Sequence, residues 1–93
     1  QSAAKLAKND ADVQNLLGFV YRKTSKLEVA GVHYKRALEI KPKHQGALEY
    51  QGELFLMHGN KEAAQANLAT LNKICWLGCD EYGDLKKAIA ESQ

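Results

Sequence analysis

Strand patterns, long apolar runs, proline and a charge of one sign are all scarce in this chain of 93 residues, and each shortage removes a class of protein. No segment alternates apolar and polar residues over a strand's length, so no sheet is expected. No run approaches the roughly 20 apolar residues needed to span a bilayer, so membrane insertion is not expected. Proline occurs once, at Pro42. Basic and acidic residues number 13 and 11, giving a net charge of +2. Their interleaving carries no electrostatic footprint of a nucleic-acid binder, and the basic cluster Lys35, Arg36, Lys41 and Lys43 reads as a solvated helix face. No signal-peptide pattern occurs, although a chain that opens inside a helix could have lost one.

Catalytic constellations are missing as well. His33, His44 and His58 fall in the middle of a helix, at a turn and at a helix end, so none pairs with another at metal-ligand spacing. They are expected on the surface. Ser25 lacks a Gly-x-Ser-x-Gly context and a neighbouring base. Glu49 and Glu53, four apart on one helix, could pair as acids, but nothing in the sequence supplies a pocket that would shift their ionisation. No Gly-rich phosphate loop is present. Neither enzyme activity, nor a cofactor, nor a metal is expected.

What the chain does have is an internal period. Gly18 and Gly52 stand 34 residues apart, and Tyr21 with Phe55, Ala30 with Ala64, Tyr34 with Leu68, and Ala37 with Leu71 keep the same offset. Such a period marks stacked supersecondary units, none of which can bury its apolar face alone. Gly18, Ala30, Gly52 and Ala64 are small where helices must approach to about 8–10 Å. Tyr21 and Phe55 lie on the same helix faces as their glycines and can wedge between neighbouring helices. Helix signals agree. Asp10 or Asp12 can cap a first helix through about Lys23, and Ser25-x-x-Glu28 forms a capping box opening a second that ends before Pro42. A third helix over 45–57 stops at His58-Gly59, and Asn60 can cap a fourth to Ile74 or Cys75. From Asp80 or Glu81, the spacing of Tyr82, Leu85, Lys86 and Ile89 predicts a last amphipathic helix.

The first unit, with Leu17-Gly18-x-x-Tyr21, Ala30-x-x-x-Tyr34, Ala37 and Pro42, resembles the tetratricopeptide (TPR) repeat. Gln14 replaces the leading Trp of that pattern, and the second unit ends differently, with Leu71 and Trp76 at the small-residue and proline positions. The resemblance implies an all-α fold of helix-turn-helix repeats in a right-handed superhelical stack with a C-terminal capping helix. Its domain division is the tail of an upstream repeat at 1–10, repeats at 11–44 and 45–78, and a capping helix at 79–93.

The segment Cys75-Trp76-Leu77-Gly78-Cys79 holds both cysteines, where Gly78 allows a turn that could bring the sulfurs together. Three readings are open: a structural disulfide, two reduced cysteines, or a thiol-redox or metal-handling pair. A disulfide would imply a periplasmic or secreted protein, and reduced cysteines a cytoplasmic one. Cys79-Asp80-Glu81-Tyr82 and Leu85-Lys86-Lys87-Ala88-Ile89 are similar to the end of small secreted bacterial TPR proteins, which favours the disulfide.

A TPR-like stack implies a scaffold that binds a protein or peptide segment along its concave face. Helical spacing places Asp12, Asn15, Phe19 and Arg22 of the first unit and Glu49, Glu53, Leu56 and Met57 of the second on that face. Phe19, Leu56 and Met57 would supply apolar contact, Arg22 could meet a carboxylate and the glutamates could meet basic groups. The Lys, Asn and Arg set with which related domains hold chaperone tails is not reproduced. An alternative is homo-oligomerisation through the ends of the repeat stack.

Overall fold

A computed structural model of the chain describes residues 10–92. The assignment of 1–10 to an upstream repeat therefore lies, except for Asp10, outside the described residues. Those residues form five α-helices and no strand: α1 Ala11–Lys23, α2 Leu27–Ile40, α3 Gln45–Met57, α4 Lys61–Ile74 and α5 Asp80–Glu91. Both ends of α3 lie 34 residues beyond those of α1, and both ends of α4 lie 34 beyond those of α2. The period of the side chains is thus also the period of the backbone.

Local chemistry accounts for most boundaries. The Asp10 carboxylate accepts from the amides of Asp12 and Val13 at 2.9 and 3.3 Å, and the Asn60 side chain accepts from Ala63 N–H at 3.1 Å. Each satisfies amides that the first turn of a helix leaves without a partner. At α3 the cap is His44, whose Nδ1 accepts from Ala47 N–H at 3.0 Å.

The capping box expected at Ser25 does not form. Lys26 stands at the N-cap of α2 with no side-chain cap, and Ser25 has φ +66°. Ser25 instead closes the preceding helix: Lys26 N–H donates to Tyr21 C=O at 2.8 Å and Ser25 N–H to Arg22 C=O at 3.0 Å. These are the two bonds of a Schellman motif, which demands a left-handed residue at this point. In the second unit the equivalent position is Gly59, at φ +78°, with Asn60 N–H donating to Phe55 C=O at 2.8 Å. The first unit thus makes the same turn without the residue best suited to it. Ser25→Gly is expected to raise the unfolding free energy by about 0.5–1 kcal/mol, since the left-handed conformation costs a side-chain-bearing residue roughly 1–2 kcal/mol and the greater freedom of unfolded glycine returns part of the gain. Urea melts of the two proteins measure it.

Within each unit the two helices pack against each other, and α3 also meets α1, α2 and α5. Tyr34 and Ala30, both fully buried, join Leu54 of α3 in one cluster, with Tyr21 and Tyr50 at its margin. Ala11, Ala37 and Ala47 make a second, closely packed junction. The largest cluster lies under α5, where Leu85 and Ile89 meet Leu48, Ala64, Leu71 and Cys75, with Phe55 packed alongside. Asn67 ties α4 to α3, its amide donating to Leu48 C=O at 3.0 Å and to Gln51 Oε1 at 2.9 Å.

Cys75 ends α4 and Cys79 precedes α5. Their Cα atoms are 5.6 Å apart with the sulfurs at disulfide-bonding distance. Gly78, at φ +94°, makes the turn between them. Of the three readings of this pair, the geometry is that of the bridge.

Candidate functional site

The C-terminal ends of α1, α3 and α5 converge around an open groove of ≈ 500 Å³. Arg22 and Lys23 reach it from α1, Glu53, Leu56 and Met57 from α3, and Ala88 and Glu91 from α5, with Ser92 just beyond. Arg22, Glu53, Leu56 and Met57 are four of the residues that helical spacing placed on the concave face. Phe19 stands next to them, its ring 5.3 Å from that of Tyr50 and faced by the Arg22 guanidinium at 5.8 Å and the Lys23 ammonium at 5.3 Å.

Arg22 organises the charges of this region. Its Nη1 donates to Glu53 Oε1 at 2.8 Å, and its guanidinium also lies 5.5 Å from the Tyr50 ring. Both partners of the ion pair are largely shielded from solvent, so the pair is not the weak, freely hydrated kind. Glu53 is therefore engaged within the fold. A basic ligand would have to compete with Arg22 for it.

Glu49 differs more from expectation. It is 8 % exposed, where a solvated or ligand-facing charge was expected. Burial is the main cause that lifts its carboxyl to about 8, followed by its hydrogen bond with Glu53 and the negative charges of Glu53, Asp84 and Glu81. The pocket missing from the sequence is supplied by the helices around it. At neutral pH the Glu49 carboxyl is therefore held toward its protonated form. Nearby, burial raises the Tyr34 hydroxyl to about 12 and also raises Tyr50.

This arrangement has a stability consequence with a definite sign. The folded pKa of Glu49 lies above its unfolded value, so the stability it contributes is complete below about pH 4.5 and falls as pH rises toward 8, while the unfolded chain has already lost its proton. Glu49→Gln keeps the neutral, hydrogen-bonding form at every pH. The variant is expected to match the parent near pH 4 and to exceed it in unfolding free energy near pH 8. Denaturant titrations at the two pH values provide the comparison, and a constant difference between the proteins would contradict the assignment.

Two residues expected on the concave face, Asp12 and Asn15, do not line this groove. The Asp12 side chain, 83 % exposed, holds Nε2 of His44 at 2.6 Å. Asn15 packs against Gly46, where an added Cβ would lie 2.9 Å from its Nδ2, and its buried Oδ1 has no hydrogen-bond partner among the described residues. They form a junction between the starts of α1 and α3. His58 is exposed as expected, but His33 and His44 depart from a purely surface role. His33 stacks on Tyr21 with centroids 5.3 Å apart and meets the Gln14 carbonyl oxygen at 2.7 Å, and His44 caps α3 while contacting Asp12. Sequence reasoning missed these pairings because His33 and His44 find their partners across helices. It also missed the share of α5 in the groove. The one signal in the chain was that Ala88 falls on the same helix face as Leu85, beside the residues that cover α3.

Among the described residues, no group of three or more His, Cys, Asp or Glu side chains could hold a metal ion, and no helix is long and apolar enough to cross a membrane. Comparison of the chain with protein-family models, curated proteins and solved structures gave no match.

Proposed function

We propose that the chain is a non-enzymatic interaction module of TPR-like architecture, a short right-handed stack of helix pairs that binds a segment of a partner protein in the groove between α1, α3 and α5. The observation that carries the proposal is the composition of that groove. Leu56, Met57 and Ala88 supply apolar surface beside Arg22 and Lys23, in a space of ≈ 500 Å³. Met57 is 55 % exposed and adaptable in shape, which suits a surface that accepts a partner's side chain. The 34-residue recurrence of helix boundaries supports the repeat architecture, and solenoids of this kind present surfaces to partners.

The groove favours a ligand with an aromatic or large aliphatic anchor. Lys23 can face an aromatic ring, while Leu56 and Met57 contact its edge. Selection for basic ligands by the glutamates, expected from sequence, is not retained, because Glu53 is paired with Arg22 and Glu49 is buried with its carboxyl held toward the protonated form. Periplasmic or secreted localisation remains part of the proposal, supported by the Cys75–Cys79 geometry.

Linear peptides selected from a display library against the chain test the groove. Those recovered are expected to carry Trp, Phe or Leu anchors and to lose tenfold or more in affinity on Met57→Glu, while Lys35→Ala on the exposed face of α2 leaves them unaffected. Equal affinity for the Met57→Glu protein would place binding outside the groove.

A further inference from the structure

At the other end of α5 the chain does something unusual for a small helical protein. Trp76 and Leu77 are 79 % and 82 % exposed, next to each other at the tip of the Cys75–Cys79 ring. Isolated exposed hydrophobics are ordinary, but here two large ones are adjacent on a loop held at both ends. Their cysteine neighbours anchor that loop: Cys75 belongs to the buried cluster under α5, and Cys79 packs against it. Gly78 N–H donates to Cys75 C=O at 2.7 Å across the turn. A braced loop loses little conformational freedom on docking, and tryptophan is the residue most enriched among side chains that dominate interface energetics.

The groove is chemically matched to this projection. It offers Leu56, Met57 and Ala88 as apolar contacts and Lys23 as a cation for the indole face. Its volume of ≈ 500 Å³ lies in the range of small-ligand sites, large enough for one indole and an adjoining aliphatic group. The charges beside the two surfaces are complementary as well. Asp80, exposed just after the loop, can meet Lys23 of the groove, while Lys73 precedes the loop and can meet Glu91. Groove and loop sit at opposite ends of α5, whose 12 residues span about 18 Å. The loop cannot reach the groove of its own chain.

We propose that the Trp76–Leu77 loop of one copy docks in the α1–α3–α5 groove of a second copy, so that the chain associates head to tail. The proposal rests on the reading of that groove as a binding site and names a second copy as its occupant. The contact is heterologous: a pair of copies keeps one free groove, on the copy that gave its loop, and one free loop, on the other, so association continues into a ring or an open chain of subunits.

Trp76 is the only tryptophan in the sequence, so its emission reports on the loop alone. In the 93-residue chain, sedimentation velocity is expected to show mass rising with protein concentration, accompanied by a blue shift of tryptophan emission. Trp76→Ala keeps the groove and removes the loop's anchor, whereas Met57→Glu keeps the loop and places a carboxylate in the groove. Both side chains are exposed, so both variants are expected to fold, which circular dichroism verifies. Each alone should remain monomeric. Mixed, they should form a complex that stops at two chains, and the emission of the Met57→Glu protein should shift to the blue when the Trp76→Ala protein is added. A parent chain that stays monomeric with red emission up to millimolar concentration overturns the proposal. So does association that persists in Trp76→Ala, which would move the contact to another surface such as exposed Leu16 and Val20 of α1. In either case the display-library result decides independently whether the groove binds other segments.

Discussion

Gly18→Leu is expected to destabilise the chain by about 1–3 kcal/mol or more, through overpacking at the crossing of α1 and α2. A Cβ at Gly18 would lie 2.5 and 2.6 Å from Cε1 and Cδ1 of Tyr34, well inside van der Waals contact. Tyr34 has no room to retreat, being fully buried with Ala30 and Leu54. The helices must therefore separate, and they lose the contacts that Tyr34 now makes. Gly18→Ala already introduces the clash and should also be destabilising, although alanine is intrinsically the better helix former by about 1 kcal/mol. Gly83 in α5 is the control. Nothing lies within 4 Å of the point where its Cβ would stand, so Gly83→Ala should stabilise by about 0.5–1 kcal/mol. The same chemical change thus carries opposite signs at two helical glycines, and urea denaturation reads both. Equal effects at the two positions would mean that Tyr34 does not press on Gly18.

The partner of Gly18 illustrates what the sequence could and could not specify. That a small residue was needed followed from the 34-residue register, but Ala30 was expected to be its close neighbour, and the tight contact is to the Tyr34 ring. Periodicity reports that two faces meet and leaves open which atoms touch. Helix ends were legible wherever a local signal existed, as at Asp10, Asn60 and Gly59. Ser25 misled because Ser with Glu three residues on satisfies the capping pattern equally well on paper. The competing demand was the Schellman turn ending α1, which required a left-handed residue at the same position.

The candidate site was legible to the extent that it lies on one helix face. Arg22, Glu53, Leu56 and Met57 were accessible to helical spacing, and the groove gathers all four. The raised pKa of Glu49 was not accessible, because it depends on how completely neighbouring helices exclude water and on carboxylates from α5 as distant in sequence as Asp84. Nor could the angle of α5 be read from its own pattern. That angle brings Ala88 and Glu91 to the groove and leaves Trp76 and Leu77 projecting at the opposite end.

Leu85 fixes that angle, and Leu85→Ala is expected to have the largest effect of the substitutions considered, about 2–5 kcal/mol. The side chain is fully buried, and both its methyl groups would lie 2.7 Å from a Cβ placed on Gly52. In the second unit Leu85 thus fills the place that Tyr34 fills against Gly18 in the first, although it comes from the following helix. Removing it leaves a cavity directly over the Gly52 backbone, and the surrounding cluster of Leu48, Leu71 and Ile89 can close over it only in part. A second substitution turns this contact into a test of sign. Gly52→Ala alone should destabilise, since its methyl group collides with Leu85. In the Leu85→Ala protein the same methyl group enters the vacated space, and alanine adds its helix preference of about 1 kcal/mol over glycine. Gly52→Ala should therefore stabilise the Leu85→Ala protein, giving a coupling energy of about 0.5–3 kcal/mol between the two positions. A Gly52→Ala effect of the same sign and size in both proteins would show that α5 does not rest on α3 through this contact.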